Sequence, residues 1–288
     1  MAIRTDMAAE AKRLWQKSMQ DTTELPGVAA EKQVYCGISA DVIRITDSEG
    51  AAQLGKPVGK YITMDLSCFM RKERGAFRKT AKAMGKHLAS LLPECKCALI
   101  ACLGNQCIAA DAVGPETLKK TVVTRHLKEY AAPAFENFCS VCAVAPGVLG
   151  KTGIESLELV LGAVKKIKPD CVIAVDALAS CEPDRLCMSV QMTDTGIMPG
   201  SGIGNHRLGF THETLGVPVV AIGVPTIVDG ATFLHLHGHE HSKVPTDLVM
   251  TIRDIDIRVK ELGALIGYGI DLALHPQLGV DDIPGFLS

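Results

Sequence analysis

Three apolar runs constrain this chain most: residues 97–103, 171–175 and 218–224 are too continuous for strands with one wet face. A strand packed on one side alternates apolar with polar residues, whereas a strand covered on both sides reads as an unbroken run. Gly104 follows the first run and Asp176 the second, so each stops at a residue suited to a turn or a site. Helical patterns lie between and after them, at about residues 114–130, 155–167 and 246–267. That alternation predicts an α/β fold, a single domain with a mostly parallel central sheet flanked by helices. Upstream, the spacing predicts an amphipathic helix over 8–19 and a hairpin from the strand-like runs 33–38 and 42–46. Residues 71–92 predict another helix, with Phe77, Ala81, Met84, Leu88 and Leu91 on one face. Its opposite face carries a basic stripe of Arg71, Arg74, Arg78, Lys82 and Lys86.

Charge and composition narrow the partners. Among 288 residues, 30 Lys+Arg against 32 Asp+Glu leave a net charge of -2, which offers no broad field to gather nucleic acid or an anionic membrane. No direct nucleic-acid partner and no membrane partner are expected, and no apolar stretch approaches the ~18 residues of a span. The eleven cysteines are an odd number, and residues 1–25 are polar and charged, without the apolar centre of a secretory leader. Cys95, Cys97 and Cys102 sit in or beside the run KCALIAC, where a free thiol behaves as a small hydrophobe. A reducing cytoplasm is the expected compartment.

Several stretches carry residues able to do chemistry. LGNQCIAADAVGP brings Asp111 to the end of the first buried run, although Asp there also suits a plain helix N-cap. QMTDTGIMPGSGIGN places Asp194 at a strand end, followed by Gly196, Gly200, Gly202 and Gly204 in a loop open to close backbone approach. Asp176 in VIAVDAL is a third acid at a strand end, and α/β sites form where carboxyl ends of strands meet. The run HLHGHEH alternates His235, His237, His239 and His241, which suits metal capture but matches no usual zinc spacing. APGVLGKT at 145–152 approaches a P-loop, yet Ala145 replaces the first glycine and Pro146 removes a backbone donor. Cys139 and Cys142 form a lone C-x-x-C, better read as thiols entering a strand than as a redox pair.

Taken in order, LGNQCIAADAVGP, TVVTRHL, VAPGVLGKTGIESLELVLGAVKKIKPD, VIAVDALAS, QMTDTGIMPGSGIGNHR and TLGVPVVAIGVPTIVD resemble the germination protease family. These are the endopeptidases that degrade small acid-soluble spore proteins, and the blocks span roughly residues 98–229. The resemblance implies a fold similar to the hydrogenase-maturation endopeptidases, a homotetramer, no cofactor, no metal, and an atypical aspartic mechanism in the cytoplasm of the spore core. By block alignment it puts the catalytic aspartates on Asp111 and Asp194. Asp176 is given a supporting role, and Gly196, Gly200, Gly202 and Gly204 form the expected substrate loop. Arg4-Thr-Asp-Met-Ala-Ala-Glu10 also resembles the family's processing site. Residues 1–6 are therefore expected to be a pro-segment, cut between Asp6 and Met7 by the chain itself, and 7–288 a single α/β peptidase domain. HLHGHEH and residues 243–288 lie outside the blocks that carry the resemblance. An alternative stays open at this stage: a metal-binding or catalytically silent relative of the maturation endopeptidases, with His237, His239 and the strand-end acids around a divalent ion.

Overall fold

The computed structural model describes residues 4–18, 25–200, 208–236 and 248–287. Its strands are β1 Val28–Tyr35, β2 Ile38–Ile45, β3 Gly59–Asp65, β4 Cys97–Cys102, β5 Ser140–Val144, β6 Cys171–Ser180, β7 Ser189–Thr193, β8 Val219–Asp229 and β9 Val249–Met250. Alternate residues of β6 show why the apolar runs are strands. Cys171, Ile173 and Val175 enter one core, while Val172 and Ala174 enter another. Both faces are dry, so the period of two vanishes from the hydropathy.

The sheet runs β1-β2-β3-β7-β8-β6-β4-β5, with β9 on β8. β5, β4, β6 and β8 are parallel to one another, and β1, β2, β3 and β7 extend the sheet through antiparallel pairs. The α/β expectation holds, with a mixed sheet. One face is covered by helices Ala76–Ala89, Val113–Leu118 and Ile255–Leu274, the other by Ser156–Ile167 and His212–Leu215. A smaller third core joins the helix Ala8–Ser18 to β2 and β3.

A hairpin forms as β1 and β2, but it turns at Cys36 and Gly37, inside the run 33–38 expected to be its first strand. The helix expected over 114–130 is divided into Val113–Leu118 and Arg125–Tyr130. Distant partners take the backbone between them: Val122 N donates to Asp271 Oδ1, and Thr124 N to the carbonyl of Val141. The helix expected over 246–267 starts later, as Ile255–Leu274, behind β9. Three members of the basic stripe have partners, with Arg71 on Glu73, Arg78 on Asp281 and the Lys86 ammonium over the Tyr35 ring.

Asp271, 1% exposed, carries a pH dependence into the core. Burial pushes its carboxyl up to about 8, and Oδ2 has no hydrogen-bond partner among the described residues. A carboxyl whose folded pKa is raised holds its proton in the native chain after the unfolded chain has released it. Stability is therefore highest at low pH and falls as pH rises toward 8. Burial pushes His87 and His275 down to about 4, so they act in the opposite sense, losing stability as pH falls below the ordinary histidine range. Between pH ~6.5 and 8, Asp271 acts without them. The unfolding free energy of the wild type relative to that of Asp271→Asn should therefore fall across that window by up to ~1.4 kcal/mol per pH unit. Asp271→Asn should flatten the slope; an unchanged slope in the variant would assign it elsewhere.

Candidate active site

The loop after β4 folds back so that a carboxylate stands at the end of the strand. Gly104 has φ 107°, and a Cβ there would lie 2.1 Å from the carbonyl oxygen of Asp111, so only glycine lets the loop close. Asn105 N donates to both Asp111 O (3.0 Å) and Asp111 Oδ2 (2.9 Å), and a 3-10 turn, Ala109–Asp111, completes the loop. The N-cap reading of Asp111 is thereby corrected. Ala112 precedes the helix Val113–Leu118 with no side-chain cap, because the Asp111 carboxylate bonds back to Asn105.

Asp176 comes from β6 itself, is 4% exposed and lies opposite Gly223 of β8. Its Oδ1 accepts from Ala177 N at 2.9 Å. Asp111, Asp176 and Asp6 line one cavity of about 250 Å³, walled by Leu103, Leu157 and Leu178. Gly200 and Val148, the latter from the loop that approached a P-loop, also reach it. Asp6 is held against β6 by a pair of bonds: Asp6 N donates to Ala179 O (3.0 Å), and Ala179 N to Asp6 Oδ2 (2.9 Å). Thus Asp6, one side of the expected processing site, lines the same cavity as two strand-end acids, while Met7 is fully buried.

Asp194 does not join them, which corrects the expected convergence of Asp111 with Asp194. β7 is antiparallel to β8, with Gln191 opposite Gly223 and Thr193 opposite Ala221. Its carboxyl end therefore points to the edge where the parallel strands begin. Asp176 and Gln191 both pair with Gly223, and Asp194 stands three residues further along β7, ~10 Å toward that edge at ~3.4 Å per residue. There the exposed Asp194 accepts from Lys60 N at 2.8 Å and fastens the start of β3.

A second cavity, of about 210 Å³, adjoins the first through Asp6 and Leu178 and is lined by Lys56, Tyr61, Gln191 and Gly196. Burial pushes the Tyr61 hydroxyl up to about 12. Burial also lowers the Lys56 ammonium, against the opposing charges of Asp6 and Glu10. Lys56 and Gln191, which line this second cavity, are residues that sequence reasoning missed. The available signal was Gln191, an amide between Val190 and Met192 in a strand with every residue buried.

His235 lies in the helix Gly230–Leu236, whereas His237, His239, His241, Gly202 and Gly204 fall outside the described residues. Among the described residues no three His, Cys, Asp or Glu side chains are grouped to hold a metal, and no helix is long and apolar enough to cross a membrane. Cys139 packs into one core and Cys142 against the other, so the C-x-x-C thiols lie on opposite faces of the sheet.

Comparison with known proteins gives a consistent result. A family model described as germination protease matches residues 3–235. A germination protease of Caldanaerobacter subterraneus subsp. tengcongensis is 38% identical, with 96% of each chain covered. That of Clostridium perfringens is 35% identical over 99% of each chain. One from Priestia megaterium is 34% identical over 98% of this chain and 77% of its own length. Among solved structures, the [NiFe] hydrogenase maturation protease HycI from Thermococcus kodakarensis matches with a TM-score of 0.38 and 20% identity, covering 64% of this chain and 99% of that one. With matches of this identity along nearly its whole length, the chain belongs to the germination protease family, a family of peptidases.

Proposed function

We propose that the protein is a spore-germination endopeptidase that degrades small acid-soluble spore proteins in the spore core. It is made as a zymogen and trims itself between Asp6 and Met7. One observation carries the reading: Asp6 lies in the cavity that Asp111 and Asp176 line. A homotetrameric assembly belongs to the same proposal on family grounds.

A peptide amide is a poor electrophile, so its hydrolysis needs a base to take a proton from water and an acid to protonate the leaving amine. Asp111 and Asp176, in opposite protonation states, supply both. The ionised carboxylate takes the proton as the water oxygen attacks the carbonyl carbon. The protonated one delivers its proton to nitrogen as the C–N bond breaks. Asp176 thus moves from a supporting role to the catalytic pair, on the strength of the cavity it lines with Asp111. Intact-mass analysis of purified full-length protein should show residues 1–6 lost over time and a new N-terminus at Met7, while Asp176→Asn stays full length. Trimming of that variant at the wild-type rate would overturn the reading. So would a wild type that digests its substrate while remaining full length.

A further inference from the structure

The segment from Arg4 to Glu10 is gripped along its length. Arg4 N donates to Thr232 Oγ1 (3.3 Å), Lys56 Nζ donates to the carbonyl of Thr5 (3.0 Å), and β6 holds Asp6. Beyond the Asp6–Met7 bond, Met7 and Ala8 are fully buried and Ala9 nearly so, which leaves no room for larger side chains at the two alanines. Glu10 is 0% exposed, so its carboxylate depends wholly on protein partners. It accepts from Ser180 Oγ, from Cys181 N (2.9 Å) and from Thr5 Oγ1, and Arg185 Nε lies 3.8 Å away.

One amide spans Met7. Gln191 Nε2 donates to the carbonyl of Asp6 (3.1 Å), and Gln191 Oε1 accepts from Ala8 N (2.7 Å). Reversing the amide would set donor against donor and acceptor against acceptor, so the two bonds fix its orientation. The Asp6 carbonyl is the electrophile of the bond between Asp6 and Met7. An N–H aimed at that oxygen is the arrangement that stabilises charge developing there during attack.

We propose that these contacts form the recognition site for peptide substrates. Gln191 clamps the backbone on either side of the residue after the scissile bond and polarises that bond's carbonyl. The socket of Ser180, Cys181 N and Arg185 selects a glutamate four residues after the bond. The inference rests on reading Asp6–Met7 as scissile. The chain's own segment is then the first occupant, and a separate substrate displaces Met7 to Glu10 to take the same contacts.

The test compares two synthetic peptides with the sequence of residues 4–18, one of them carrying Glu10→Gln, as substrates of the processed protein. The Gln peptide should show kcat/KM lower by at least ~10-fold, the loss expected for hydrogen bonds to a charged group. Ser180→Ala should narrow the gap between the two peptides, as expected for directly coupled groups. Arg185→Gln serves the same purpose if Ser180→Ala does not fold, because each ratio is taken within one enzyme. Gln191→Ala should lower kcat for both peptides alike by ~100-fold, the scale of losing one oxyanion donor, and keep their ratio. Equal cleavage of the two peptides by the wild type, or an unchanged ratio in the socket variants, would overturn the proposal. If neither peptide is cut at its Asp–Met bond and the full-length chain is never trimmed there, the scissile reading itself falls, and the socket with it.

Discussion

Replacing Asp111 or Asp176 by Asn should lower peptidase turnover by at least ~100-fold, the lower end of a general acid–base contribution, and leave a folded chain. Asn keeps the size and one acceptor oxygen, so Asn105 N and Ala177 N retain their partners while the exchangeable proton is lost. The informative contrast is Asp194→Ala. That change removes the hydrogen bond to Lys60 N and should cost ~1 kcal/mol of stability with turnover near wild type. Steady-state kinetics on variants with unchanged circular dichroism and elution volume would check all three. Normal turnover in Asp176→Asn, or collapse of turnover in a folded Asp194→Ala, would reverse the assignment.

The second large effect concerns stability. The helix Ile255–Leu274 meets its neighbours through glycines: a Cβ at Gly267 would lie 2.3 Å from the carbonyl oxygen of Lys120, and one at Gly263 would lie 2.7 Å from the backbone of Glu116. Backbone cannot give way as the end of a flexible side chain can. Gly267→Leu should therefore cost at least ~3 kcal/mol, the upper range for overpacking. Gly162, in the helix Ser156–Ile167, has nothing within 4 Å of where its Cβ would be. Gly162→Ala should instead stabilise by ~0.5–1 kcal/mol. Urea midpoints at constant m separate the two outcomes. The loop bearing Asp111 packs on this same helix, through Ala109 and Ala110, so Gly267→Leu should lose activity at milder denaturant than it loses helix content.

How much of this was legible in the sequence depends on the range of the interaction that decides each element. A hairpin follows from local pattern, although its turn at Cys36 and Gly37 lies inside a run read as strand, and β4, β6 and β8 follow from unbroken apolar runs. Asp111 and Asp176 were visible as acids where such runs end. Asp194 looked equivalent because hydropathy marks where a strand stops without saying which way it runs in the sheet. Its antiparallel pairing with β8 decides that. The break after Leu118 was hidden for a similar reason, since the group that captures Val122 N is Asp271, 149 residues away. Gln191 showed only as an amide in an apolar strand. Its partners, Asp6 and Ala8, lie across 185 and 183 residues.

The bonds between Asp6 and β6 have a kinetic meaning as well. A peptide tethered beside its own site competes at an effective concentration in the millimolar range for a short flexible tether, so dilution does not loosen it and a separate substrate must bind more tightly, or exceed that concentration, to displace it. On the proposed cut after Asp6, the segment that ends there would become a separate peptide, present at no more than the protein's own concentration, and its return to the cleft would be a bimolecular event, whereas Met7 to Glu10 would stay tethered.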